Sequence, residues 1–244
     1  MDAQRAQRPS DGPALSPLVD TLLFSPAGVF YDDSQFVRWL VQQLNRLGVQ
    51  ASLASFACLL HREALRAAYV GQMGFGPALG RLLTEIGLTR AQRAEIELAC
   101  QSRARQCDEQ LRLLPGVASA IEQLSASGVR MAIVVNAFDV EQQVARRLER
   151  FGLAHHFTAV YASCELGEAL PEPSAFMAAL QRLGRPAATV GFVSSCPLEL
   201  HAAADLRFPA IGLTCALDRP EVREIGRLSD LLSVIEHRRW RLAA

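Results

Sequence analysis

The stretch that decides the fold is Leu22-Leu-Phe-Ser-Pro-Ala-Gly-Val-Phe-Tyr-Asp32. It continues the apolar run Thr21–Phe24, which is too short for a helix and is closed by a Ser-Pro turn signal, so it reads as a buried strand. Four runs of the same kind follow at Val129–Val135, Thr158–Ala162, Thr189–Val193 and Pro209–Leu213. Amphipathic stretches separate them. After Val135, for example, Val144, Leu148 and Phe151 make an apolar stripe at helical period, with Asp139 placed to cap that helix and Gln142 to answer it. Such strand–helix alternation predicts an α/β class chain, a Rossmann-like three-layer core around a parallel sheet.

Between Asp33 and Leu113 the strand signal vanishes. Phe36, Leu40, Leu44 and Leu47, then Phe56 with Leu59 or Leu60, then Leu79, Leu82, Leu83 and Ile86 recur at helical spacing. Ser52 and Thr89 stand where N-caps belong, the latter with Gln92 at capping-box distance. The expected organisation is an all-helical cap, 33–113, inserted after the first strand of an α/β core formed by 19–32 and 114–244. The polar, Pro- and Ala-rich stretch 1–18 is expected to be a disordered tail.

Half of the 244 residues are hydrophobic, enough to bury a substantial core, and 25 basic residues balance 25 acidic ones. No overall field therefore favours nucleic acid or an anionic membrane as partner. Every basic residue is Arg, since the chain has no Lys. The N-terminal stretch lacks the apolar run of a signal peptide or membrane span, and the expected location is cytoplasmic. Six cysteines lie scattered without C-x-x-C pairs, which argues against a disulfide framework or a zinc site.

In an open parallel sheet, ligands bind beyond the carboxyl ends of the strands, so the residues just after each strand are where chemistry should sit. The segment Leu22–Asp32 resembles the first-strand motif of haloacid dehalogenase-like hydrolases, a strand followed by D-x-D-G, with Gly28 in register and Ser25 and Ala27 in the two carboxylate positions. Leu114-Pro-Gly-Val-Ala-Ser-Ala-Ile-Glu-Gln-Leu resembles the helix that returns the chain to the core, and Met131-Ala-Ile-Val-Val-Asn136 the second motif. Leu166–Phe176 is similar to the family's K-P-x-P loop, and Phe192–Asp205 to its acidic fourth loop.

The resemblance implies a mechanism in which one Asp is the nucleophile, a second is the acid/base, and further acidic groups hold magnesium. At those positions this chain carries Ser25, Ala27, Val135 in place of a Ser or Thr, Leu170 in place of the lysine, and Ser194 and Glu199 in the fourth loop. A single carboxylate suggests that magnesium is lost or held weakly, leaving no cofactor. The expectation drawn from these departures is a non-catalytic member of the family with an interaction, assembly or regulatory role, whose partner is another protein or a second copy. Two alternatives stand beside it. One is a phosphatase- or dehalogenase-like hydrolase with atypical residues, in which Ser25 or Cys196 is the nucleophile; the other is a sensor of anions or phosphometabolites that uses strand-end backbone N–H groups.

Ser25, Gly28, Asn136, Ser194, Ser195 and Cys196 form the candidate residual pocket, with Glu168 nearby; as plain polar loop residues they would need no function. Arg238, Arg239, Trp240 and Arg241 offer a partner contact or simply a basic helix end. His155, His156 and His201 read more simply as turn and helix-surface residues than as ligands. Phe36, Trp39, Phe56, Tyr69 and Phe75 either line a cavity under the cap or fill the cap's own core.

Overall fold

The computed structural model describes residues 19–137 and 141–239. Six parallel strands, β1 (Thr21–Phe24), β2 (Arg130–Val135), β3 (Ala159–Ala162), β4 (Val190–Ser194), β5 (Ala210–Leu213) and β6 (Val222–Ile225), lie in the order β3-β2-β1-β4-β5-β6. Five fall where the apolar runs place them. The sixth is an edge strand whose VREI sequence buries only its two ends, so it offers no continuous apolar run to read.

β1 is the innermost of the early strands and is buried on both faces. Leu22 and Phe24 point into one layer of the core with Phe30, Ile121 and Leu231; Leu23 points into the other with Phe176, Phe192 and Leu200. The rings of Phe24 and Phe30 lie 5.2 Å apart, and each buried ring contributes roughly 2–3 kcal/mol by transfer from water. After β1 the chain builds β2 and β3 to one side, then crosses to place β4 on the other. The β1/β4 boundary is therefore the point where strand order reverses, and a crevice opens beyond the carboxyl ends of these two strands.

Five helices separate β1 from the return to the core: α1 (Ser34–Arg46), α2 (Leu53–Leu59), α3 (Arg66–Tyr69), α4 (Phe75–Glu85) and α5 (Arg90–Gln110). They form the cap, with a core of their own around Leu40, Leu44, Phe56, Leu60 and Leu83. Both foreseen caps exist. The Ser52 hydroxyl accepts from the Ser55 amide, and Thr89 and Gln92 form a reciprocal capping box. Between α2 and α3 the chain widens into a π-helical turn, Leu60–Ala64, where the Leu65 amide donates to the Leu60 carbonyl at 2.8 Å. The outgoing chain turns on the Gly28 amide, which donates to the Tyr31 carbonyl at 2.8 Å, and is pinned to the returning chain by the Leu114 amide, which donates to the Phe30 carbonyl at 2.8 Å.

The remaining core helices are α6 (Val117–Ala126), α7 (Glu141–Arg150), α8 (Ser163–Leu166), α9 (Pro173–Leu183), α10 (Pro197–Asp205) and α11 (Asp230–Arg239). The expected disordered tail, the Asp139 cap, Trp240 and Arg241 lie outside the described residues, and of Arg238 and Arg239 only the backbone, in α11, is described. His155 and His156 sit on a short 3-10 turn with their rings 3.9 Å apart, and part-buried His201 lies against Arg219, whose guanidinium is 3.1 Å from its Nδ1. Among the described residues, no helix is long and apolar enough to cross a membrane.

Candidate active site

The crevice at the strand reversal, roofed by the cap, is a cleft of about 810 Å³. Ser25, Ala27, Gly28, Val135, Asn136, Leu170, Ser195, Cys196 and Glu199 all line it, so eight of the expected site positions besides Glu199 converge there. Ser194 is fully buried just beneath, and Glu168 is turned away to accept from the Ser174 hydroxyl at 2.6 Å.

At the floor, Ser25 follows β1 directly, its amide held by the Val193 carbonyl at 2.9 Å. The Ser25 hydroxyl lies near the Glu199 carboxylate, which accepts from Ser194 Oγ at 2.7 Å. Burial pushes the Glu199 carboxyl above its ordinary value, the two serine hydroxyls pull it down, and Asp33 nearby pushes it up. Ser194 Oγ in turn accepts from the Cys196 amide at 2.9 Å, while burial raises the Cys196 thiol and keeps it protonated.

Gly28 has to be glycine. Its φ is +69°, and a Cβ there would collide with Ser195 Oγ, which donates to the Ala27 carbonyl at 3.0 Å. Asn136 is committed to structure: its amide donates to the Leu170 carbonyl and accepts from the Leu170 amide, both at 2.8 Å. It clamps the 170 loop, and its hydrogen-bonding groups are not turned to a phosphoryl oxygen.

Besides Tyr69, which the sequence offered as a cavity-lining aromatic, the cap side carries groups that sequence reasoning left out. His61 and Arg62 sit on the π-helical turn, Arg66 and Tyr69 on α3, and Asp33 at the start of α1; all line the cleft. His61 Nδ1 lies 2.6 Å from the Tyr69 hydroxyl. Burial lowers the His61 pKa and Asp33 raises it, and burial pushes the Tyr69 hydroxyl far up. Arg147, on α7, is hydrogen-bonded to Asp108 at 2.6 Å, tying the end of α5 to the core. Arg66 pairs with Glu172 at 2.9 Å across the cap–core boundary. Of the cap aromatics, Phe36, Tyr69 and Phe75 line the cleft, whereas Phe56 packs in the cap core and Trp39 lies against Phe36 at 5.8 Å. The only signal in the sequence for His61 was a His beside Arg on a helical segment, and nothing there connected it to Asp33.

A parallel sheet with its cleft at the strand reversal and a helical cap inserted after the first strand defines the class, and a family model confirms it: residues 28–206 match the haloacid dehalogenase-like hydrolases. The chain belongs to that family. Among its relatives is the phosphoglycolate phosphatase of Salmonella typhi, 29% identical over 110 residues, 45% of this chain and 43% of that protein. The chain thus spans less than half the length of the curated relatives it matches. Among solved structures, β-phosphoglucomutase from Clostridium difficile superposes over 93% of this chain and 100% of its own, with TM-score 0.66 and 10% identity. An L-2-haloacid dehalogenase from Xanthobacter autotrophicus, with chloropropionic acid covalently bound, superposes over 89% and 98% with TM-score 0.61 and 17% identity. At such identities these two structures speak for the fold alone.

Two expectations are corrected by these matches. The non-catalytic reading fails because the family model describes hydrolases and the curated relatives are named for a phosphatase activity. Counting departures tested the chain against one arrangement of residues only, while the cleft holds other hydroxyl and titratable groups. The expectation of no cofactor fails with it, because phosphatases of this family use magnesium. The single carboxylate was given too much weight, since magnesium keeps several waters and is commonly held by one or two carboxylates together with substrate phosphate oxygens. The oxygens that fit it here are the Glu199 carboxylate and the Ala27 carbonyl, both at the cleft floor.

Proposed function

We propose that this chain is a hydrolase of small phosphorylated organic anions that works with a serine in place of the usual aspartate. The observation that supports the reading is that Ser25, directly after β1, and the Glu199 carboxylate both line the floor of the cleft. Ser25 Oγ is oriented by Glu199, which receives its proton as the oxygen attacks phosphorus. Cys196 is the weaker nucleophile, because burial keeps its thiol protonated. On the cap, Arg62 lies over the cleft and makes no ion pair among the described residues, so its guanidinium is available to an anionic substrate. Magnesium, when bound, supplies positive charge against the phosphoryl oxygens. A substrate in the cleft is flanked by Leu65, Phe36 and Leu170, which exclude water from its apolar part.

The test is turnover of 4-nitrophenyl phosphate, phosphoglycolate and 2-chloropropionate, with and without magnesium, by the native chain and by Ser25→Ala. Phosphate release that Ser25→Ala removes supports the reading. Halide release without phosphate release points to the dehalogenase branch instead. No turnover of any of the three, or turnover indifferent to Ser25→Ala, overturns it.

A further inference from the structure

The cleft is far larger than a phosphate and its immediate neighbours require. At about 810 Å³ it lies in the upper part of the range, roughly 300–1,000 Å³, within which protein pockets enclose ligands of drug size. A phosphate belongs at the floor, beside Ser25 and Glu199, so the space between floor and cap faces whatever organic group the phosphate carries. The side chains there are Phe36 on α1, Leu65 before α3, Phe75 on α4, Leu111 after α5, Leu170 and Leu198. The rings of Phe36 and Phe75 lie edge to face, 5.7 Å apart, and both are only half-buried. Leu198, on the first turn of α10, is 42% exposed and packs into none of the three hydrophobic cores.

Most polar side chains of the lining are already satisfied by protein. Arg66 pairs with Glu172 and Arg147 with Asp108, the Tyr69 hydroxyl meets His61 Nδ1, Asn136 holds the Leu170 backbone, and Ser195 donates to the Ala27 carbonyl. Few are left to hydrogen-bond a sugar or a second acidic group. The charges of the lining point the same way. Five carboxyls, Asp32, Asp33, Asp108, Glu172 and Glu199, outnumber three arginines, and of these three only Arg62 makes no ion pair among the described residues. One available cation suits one phosphate, whereas a carboxylate elsewhere on the substrate would meet an excess of negative charge.

We infer that the substrate is a monophosphate whose organic part is apolar, an aryl or medium-chain alkyl group seated between the Phe36–Phe75 rings and Leu198, rather than a short acid such as phosphoglycolate. The inference rests on the hydrolase reading above, which supplies the phosphate. What it adds is the source of the binding energy. Apolar surface of Phe36, Phe75 and Leu198 that is wet in the free protein is covered by the substrate's own apolar body, and the gain grows with the area covered.

The first arm of the test reads binding alone. Methyl-, butyl- and hexylphosphonate, whose unactivated C–P bonds resist hydrolysis, are titrated calorimetrically into the full chain with magnesium. Affinity should rise about fourfold per added methylene, with an increasingly negative heat-capacity change. Leu198→Ser should weaken hexylphosphonate about fivefold or more with the melting temperature kept, because Leu198 packs into no core. The second arm reads turnover. kcat/KM on hexyl phosphate and 1-naphthyl phosphate should exceed that on phosphoglycolate by about tenfold or more. Phe75→Leu, which keeps an apolar side chain in the cap, should cost about two- to tenfold on the naphthyl ester, the scale of one aromatic contact, and less on the hexyl ester. Affinity that ignores chain length, or a preference for phosphoglycolate, overturns the inference and leaves the hydrolase reading standing. Length-dependent binding that Leu198→Ser does not weaken overturns it as well, since the tail then lies elsewhere. Length-dependent binding that Leu198→Ser weakens, without turnover of any ester, upholds the apolar ligand and removes the hydrolase reading; neither binding nor turnover removes both.

Discussion

The floor of the cleft and its hinge wall are built from different parts of the chain and carry different chemistry. The floor lies at the ends of β1 and β4, is held by backbone hydrogen bonds and by Gly28, and carries serines with one carboxylate. The hinge wall belongs to the start of α1 and to the cap, and carries Asp33, His61, Tyr69 and Arg62. The floor holds the positions that the family resemblance singles out, and the wall has titratable groups that no sequence motif foresees. A site can therefore look depleted at its motif positions and still hold titratable groups, when these come from elements that meet only in three dimensions.

The comparison can be broken most decisively at the floor. Ser25→Ala should lower phosphate release by a factor on the order of 10⁴, with melting temperature little changed, because Ser25 is small and its amide, not its hydroxyl, holds the strand end. A retained rate would move the nucleophile elsewhere. Gly28→Ala comes next and acts through structure: a left-handed φ and a collision with Ser195 should cost about 2 kcal/mol, visible as a fall of several degrees in thermal melts. An unchanged melting temperature would mean that the turn relaxes without Ser195.

The wall should respond more gently. Tyr69→Phe should cost roughly 1–1.5 kcal/mol, the scale of its one hydrogen bond to His61, visible as a small fall in melting temperature. An unchanged melting temperature would mean that the bond to His61 adds nothing to the cap. Glu199→Gln sharpens the electrostatic side. Because burial raises the Glu199 pKa in the fold, the folded protein holds this proton more tightly than the unfolded chain does. Its ionisation therefore weakens the fold as pH rises from the unfolded value through the folded one, and the variant should lose less stability than the native chain between pH 4 and pH 8. Thermal melts at the two pH values check the sign; an equal pH response in both proteins would place Glu199 as ionised and well solvated. The smallest effect is expected for Arg66→Ala. The Arg66–Glu172 pair is about half exposed on both sides and should contribute under about 1 kcal/mol.

Much of the fold was legible because apolar runs and helical stripes reflect burial directly. Thr21–Phe24 is buried at every position, and Ser52 and Thr89 cap the helices that they precede. β6 escaped because an edge strand with a polar middle carries no such signal. The floor of the site was legible for the same topological reason: residues after β1 and β4 must meet at the strand reversal. Asn136 was located but not understood, since its clamp on Leu170 depends on a loop 34 residues away. Asp33 read as a cap boundary, and His61 as one more residue of a helix. That both line the cleft depends on the π-helical turn and on how the cap sits over the core, and neither leaves a periodicity in the sequence.

The central claim is that Ser25 is the residue that bonds to the substrate. The most direct measurement is mass spectrometry of the chain quenched during turnover of 4-nitrophenyl phosphate in the presence of magnesium. The account predicts a phosphoryl adduct on the peptide that contains Ser25, absent in Ser25→Ala. An adduct on Cys196 or on any other residue, or turnover that Ser25→Ala leaves intact, would contradict it.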